Sequence, residues 1–243
     1  MREALRRLDI CGYSDKVGEV QIPFTEFLTD RPLRKLAEKQ VELAKKVVER
    51  DLLDGCNRIA GVDAAYRGET AYAACVVVDR FGSVVSEASA KAEVGFPYIP
   101  GYFYWREGPV LASVIRGVDF DVLMVNAHGK AHPRLLGLAS HLGLELNRPT
   151  IGVSAHLLAG EVRRGGEASE VYLLGERVGI IIEGKPPLVV SVGHMVCLDT
   201  AVSIVRCFRD TSGLPWPLAA AHLSAVKLRG LSKLRDSALI QGF

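Results

Sequence analysis

Asp63 is the residue whose position most needs a reason. It sits in Ile59-Ala60-Gly61-Val62-Asp63-Ala64-Ala65-Tyr66, a run with almost no other polar group. An ionised carboxylate there is costly unless it binds a cation or accepts hydrogen bonds; the alternative is a strand-end Asp turned to solvent. Glu107, in Trp105-Arg106-Glu107-Gly108-Pro109, is a second carboxylate, and on its own it reads as a first-turn Glu favoured by a helix dipole. Arg106 beside it is either a surface charge or a phosphate contact. The stretch Asn126-Ala127-His128-Gly129-Lys130-Ala131-His132-Pro133-Arg134 places two His, one Lys and one Arg directly after a hydrophobic run, where α/β sheets build their sites. Gly129 and Pro133 disfavour a helix across His128 and His132, so their spacing is not a zinc signature. His194 ends Ser191-Val192-Gly193-His194 and alone reads as structural. Tyr98, Tyr102, Phe103, Tyr104 and Trp105 gather near Arg106, either as core packing or as a platform that stacks on bases.

The elements around these residues are readable in part. Asp30 is placed to cap a helix with Pro32 in its first turn, and Leu33, Ala37, Val41, Ala44, Val48 and Leu52 then recur at steps of four and three towards a stop at Gly55. Three strands are expected at 58–66, 71–78 and 83–94, joined by turns at Gly68 and Asp79-Arg80-Phe81-Gly82, which makes an antiparallel meander. A loop over 95–106 leads to a helix at 107–116, a buried strand at 118–125, a helix marked by Leu135, Leu138, Leu142 and Leu146, and a strand at 150–153. Further β segments are expected at 171–183 and 188–191, then helices at 199–207 and from Ala219 onward. A meander followed by alternating elements gives a mixed sheet covered by helices.

The 243 residues suit a single domain, with 1–29 as an irregular extension. Hydrophobic residues at 49% and charged residues at 24% describe a globular chain with a core to bury, not a disordered one. A net charge of +2 means that any basic face for nucleic acid is local. No run approaches the ~18 apolar residues of a membrane helix, and Met1 to Arg7 lead into no signal-type apolar core, so a cytoplasmic protein without membrane contact is expected. The five cysteines form no CxxC pair and are expected as small buried apolar residues.

Taken in order, these pieces resemble the endonuclease V family. Gly61-Val62-Asp63, Pro97-Tyr98-Ile99-Pro100-Gly101, Phe103 to Pro109, His128-Gly129 through Pro133-Arg134, Gly137 to Gly143, Pro149 to Val153, Gly193-His194 into Leu198-Asp199-Thr200-Ala201, and Pro215 to His222 match its motifs over roughly 33–223. The resemblance implies an RNase H-like α/β fold, a mixed five-stranded central sheet with helices on both faces. It implies a magnesium-dependent nuclease that nicks DNA at the second phosphodiester bond 3′ to deoxyinosine; manganese, which tolerates a neutral ligand such as Asn126 better, is the expected substitute. RNA is a further substrate class, and a monomer is expected. Asp63, Glu107 and Asn126 would occupy the metal-ligand positions, with His132 and His194 near the metal and the scissile phosphate. Tyr98 would be the tip of a wedge that includes Pro100 and Gly101. His128 and Gly129 would surround the extruded base, and Arg106 and Arg134 would contact the backbone. Two positions depart from the pattern. The family carries an aspartate where this chain has Asn126, and a lysine where it has Ala155, with His156 next door as a partial stand-in. The alternative reading is therefore a weakened or inactive relative that binds inosine without cutting.

Overall fold

The computed structural model describes residues 31–165, 168–209 and 213–240. The Asp30 cap, the irregular stretch 1–29 and Cys11 lie outside the described residues.

The meander forms as its turn residues dictate. Strand β1 (Arg58–Arg67) pairs antiparallel with β2 (Thr70–Asp79), and β2 with β3 (Val84–Glu93). Gly68 and Gly82 take left-handed φ values of 56° and 85° at the two turns. At the second turn the Asp79 side chain accepts from the backbone N–H of Phe81 and of Ser83, each at 2.9 Å. The short strands β4 (Val122–Val125) and β5 (Thr150–Ser154) then add in parallel, β4 beside β1 and β5 beside β4.

The sheet does not stop at five strands. β9 (Leu188–His194) pairs antiparallel with β5, and β8 (Glu176–Ile182), β7 (Ala168–Leu173) and β6 (Glu161–Gly165) follow. The full order is β3-β2-β1-β4-β5-β9-β8-β7-β6. The expected β segment at 171–183 is two strands with a turn at Leu174 and Gly175, both with positive φ. β6 carries two arginines and no alternation, so nothing in its sequence marks it; backbone pairing with β7 makes it a strand.

Helices cover both faces. On one face Ile59, Met124, Ile151, Val153, Val190 and Val192 pack against α4 (Leu198–Cys207) and α5 (Trp216–Ile240). On the other, Ala60, Val62, Leu123 and Val125 meet α2 (Phe103–Ile115) and α3 (Leu138–Leu146). This is the expected RNase H-like architecture, extended by four strands. The first helix, α1 (Arg31–Ala44), sets Ala37 and Gln40 inward.

Two helices differ from their sequence pattern. α1 ends at Ala44, although apolar steps continue to Val48 and Leu52. Those residues are claimed by the chain after β9: Met195 N–H donates to Val48 O at 2.7 Å, and Leu52 N–H to Met195 O at 3.1 Å. α2 starts a turn early, at Phe103, which puts Pro109 inside it. Tyr104 fixes that early turn by stacking on His141 at 3.3 Å, and Gly108 leaves room, since a Cβ there would stand 2.5 Å from the Tyr104 ring. The cysteines also depart from expectation. Cys75 is buried, but Cys56 and Cys207 are exposed and Cys197 is half-buried. Among the described residues no helix is long and apolar enough to cross a membrane.

Candidate functional site

The site begins with a parity argument. In β1, β4 and β5 the side chains of Ile59, Val122, Met124, Ile151 and Val153 face the layer of α4 and α5. Counting in twos beyond them brings Asp63, Asn126 and Ala155 to the same face at the carboxyl ends of three parallel neighbours. Register places Val62 beside Val125, so Asp63 and Asn126 are level. Gly61 then admits the start of α5: a Cβ there would lie 2.1 Å from Pro217 O. That close approach carries His222 over Asp63.

Asp63 is 9% exposed, and both its oxygens are engaged. Asn126 Nδ2 donates to Oδ1 at 3.3 Å, and His222 Nδ1 faces Oδ2 at 2.8 Å. Burial pushes the Asp63 carboxyl up, against hydrogen bonds from His222, the Ala64 backbone and Asn126. Glu107 arrives on α2, and its carboxyl is pushed up to about 7. Burial is the main cause; the negative charge of Asp63 adds to it, while Tyr66 and Arg106 oppose it. The Tyr66 hydroxyl acts on Glu107 from close by without an aligned hydrogen bond. Arg106 lies over the Tyr66 ring at 4.8 Å, and its guanidinium donates to Phe96 O at 2.6 Å and Glu69 Oε2 at 3.1 Å. Two carboxylates thus share a partly dry corner with too little positive charge around them.

Asn126 is also the link to a cavity of about 270 Å³. Tyr98, Pro100, Gly101, His128, His132 and Arg134 line it, together with Ser154 and His156. Tyr98 stands 60% exposed at its edge, against Phe103 edge-on at 4.9 Å. Inside, the polar groups are matched. His128 Nε2–H donates to His156 O at 2.7 Å. His132 Nε2–H donates to Gly101 O at 3.1 Å, while its Nδ1 accepts from the Arg134 backbone at 3.2 Å. Burial holds the His128 pKa down to about 4 and that of His132 well below its ordinary value.

The sequence model of the Endonuclease V family matches residues 41–223. Endonuclease V of Methanopyrus kandleri is 38% identical over 208 residues, covering 81% of this chain and 90% of that protein. The chain belongs to the endonuclease V family. Among solved structures, the Streptomyces avermitilis endonuclease V superposes with a TM-score of 0.74 at 31% identity, covering 90% of this chain and all of that one. Ciona intestinalis endonuclease V, solved with a 24mer DNA containing an inosine followed by a ribo-adenosine, gives a TM-score of 0.73 at 25% identity over 85% of this chain and 100% of its own. The endonuclease class expected from the motifs holds at the level of the family.

Within this member of the family the predicted residues fall into groups. Asp63, Glu107 and Asn126 come together. Tyr98, Pro100, Gly101, His128, His132 and Arg134 come together around the cavity. His194 joins neither group: it pairs with Thr150, at the opposite end of β5 from Ala155, is 3% exposed, and accepts the Val48 N–H on Nδ1 at 3.2 Å. Gly129 is a packing residue here. Its N–H donates to Ser191 Oγ at 2.8 Å rather than into the cavity, and a Cβ would lie 1.9 Å from Val192 O. Arg106 and Arg134 have side chains turned inward, occupied by protein partners. Ala155 packs against the apolar core.

His222 and Gln40 were not foreseen as site residues. His222 lies 159 positions from Asp63, and only its place in the last motif hints at it. Gln40 looks in the sequence like one more polar position on an amphipathic helix.

Proposed function

We propose that this chain is a single-domain, monomeric nuclease of DNA carrying a deaminated adenine, nicking at the second phosphodiester bond 3′ to the inosine with a divalent cation, magnesium first and manganese in its place. RNA is a second substrate class. The observation that carries the reading is Asp63: a buried carboxylate at a strand end, beside Glu107, joined through Asn126 to a cavity with an exposed tyrosine at its edge. The DNA-bound Ciona relative supports DNA as the partner.

The residues fit a divalent cation in kind. Asp63 and Glu107 offer hard oxygens whose mutual repulsion a cation relieves, and the Asn126 amide offers a neutral oxygen when turned. Among the described residues no three of His, Cys, Asp and Glu stand together as a ready metal cluster. When bound, the cation supplies an activated water and neutralises charge on the phosphate. His222 orients the Asp63 carboxylate through Oδ2. Tyr98 parts the base step; taking a base from the stack costs a few kcal/mol, least at a mispaired one. The cavity walls then hold the base away from water.

Asn126 and Ala155 favour a second reading, inosine binding without a cut. One removes a negative charge from the metal site and the other a cation from the phosphate. If each costs on the order of 3 kcal/mol in the transition state, the rate falls about 10⁴-fold. A labelled duplex with one inosine separates the readings. It is incubated with magnesium or with manganese beside parallel binding assays. A nick one nucleotide beyond the inosine on its 3′ side supports the nuclease, and selective binding without a nick supports the reader. Absence of both a nick and selective binding would remove inosine from the proposal.

A further inference from the structure

Gly101 closes the Tyr98 loop with a left-handed φ of 79°, and its carbonyl oxygen gathers three donors. Gln40 Nε2 reaches it at 3.1 Å, His132 Nε2 at 3.1 Å and Arg134 Nη2 at 2.6 Å. A carbonyl has two lone pairs, so three donors, one of them charged, is more than the turn itself requires. Gln40 commits its whole amide to this place. Its Nε2 also donates to Leu136 O at 3.2 Å, and its Oε1 accepts from Arg134 Nε at 2.5 Å. The residue is 2% exposed, and Arg134, lying over the Tyr102 ring at 4.4 Å, is 5% exposed. Burying an amide and a guanidinium is unfavourable unless each is partnered. A leucine at position 40 would fill the same core space without that requirement.

The network therefore ties three separate segments: α1, the Tyr98 loop and the chain after β4. All three line the cavity. Two residues after Gly101, α2 begins, and it carries Glu107. Gly101 suits this corner: its φ is left-handed, and a Cβ there would crowd Arg134 Nη2 at 3.0 Å.

We propose that Gln40 is a positioning residue for base recognition, fixing the Gly101 corner so that Tyr98 stands at the cavity edge when a base is withdrawn. This rests on reading the Tyr98 loop as the wedge. Gln40 touches neither base nor phosphate; it acts through Gly101 and Arg134.

The test uses the full chain and two duplexes, one plain and one with a single inosine beside 2-aminopurine, whose fluorescence rises when the step opens. Gln40→Leu should lower the preference for inosine over plain duplex by roughly tenfold, the scale of one lost hydrogen bond to a charged network. The fluorescence rise should shrink with it. Tyr98→Ala should cause a loss of the same kind, and the double variant should lose no more than the larger single loss, because both act on one loop. Gln40→Glu keeps an acceptor for Arg134 but no donor for Gly101, so it should reproduce the loss and carries the test if Gln40→Leu does not fold. A folded variant with full preference and full fluorescence overturns the proposal, as does an equal loss on both duplexes or strict additivity with Tyr98→Ala. Should the unaltered protein show no inosine preference, the wedge reading itself fails, which is a distinct result.

Discussion

The two halves of the site treat polar groups in opposite ways. Around Gly101, His132 and Arg134 buried donors meet backbone and amide acceptors, His132 is held neutral, and Gly129 packs backbone on backbone. Around Asp63 and Glu107 the carboxylates crowd together, both are pushed up, and neutral Asn126 stands between them and the cavity. The first arrangement fixes a shape; the second leaves charge under-neutralised, which suits a cation and suits chemistry. A satisfied network and an unsatisfied one should respond differently to mutation, metal and pH.

The largest expected effect falls on the unsatisfied half. Asp63→Asn should reduce any cleavage of inosine duplex by on the order of 10³-fold, the scale of removing a principal ligand or charge stabiliser. Inosine-selective binding should survive, because the cavity does not depend on Asp63. Nicking and gel-shift assays on one preparation read both quantities; parallel loss of binding would erase the distinction between the halves. Next comes Gly129→Ala in the satisfied half. Its Cβ would fall 1.9 Å from Val192 O, a backbone atom that cannot step aside. A destabilisation of about 3 kcal/mol or more is expected, read from denaturant unfolding. A variant as stable as the parent would mean the loop is looser than its contacts imply.

Asn126→Asp has a smaller effect of opposite sign. It adds a carboxylate level with Asp63, so without metal the melting temperature should fall, since a third negative charge joins two already in conflict. With magnesium it should recover, and cleavage should rise at least tenfold. Recovery of stability without a gain in cleavage would point to Ala155 as the remaining defect, and Ala155→Lys in that background would check it.

How much of this was legible beforehand follows from what each residue depends on. Asp63 stands out because a carboxylate in an apolar strand is locally anomalous, and the strand itself was read to within a residue or two. The meander was legible because Gly68 and the Asp79 turn announce it. His222, Gln40 and the inward turn of Arg134 are not, because each is decided by contacts 33 to 159 residues away in sequence. The end of α1 departs from its sequence pattern for the same reason: local periodicity favours helix through Leu52, and pairing with Met195 overrides it. β6 was invisible because only its neighbour makes it a strand. His194 looked like a site residue by motif, but its imidazole holds the Val48 backbone at the far end of β5.

The contrast is finest in the pH dependence. Burial holds His128 and His141 at about 4 and lowers His132 and His194 in the same direction. Unfolded, these histidines take up protons near their ordinary value of ~6.5. Between about 4 and 6.5 the unfolded chain therefore binds more protons, and stability falls as pH drops through that window. Glu107 works the other way: its folded carboxyl keeps a proton up to about 7, so its contribution declines as pH rises. The Asp63 carboxyl, also pushed up, works in the same direction as Glu107, but four histidines outweigh two carboxyls, and the metal-free protein should melt at a lower temperature at pH 5 than at pH 7. A divalent cation acts only on the carboxyl side, because it must displace the protons held there to bind. The rise in melting temperature on adding magnesium should thus grow between pH 5 and pH 7.5. An equal rise at both values would place the cation somewhere other than Asp63 and Glu107, and would leave the under-neutralised carboxylates without the role argued for them.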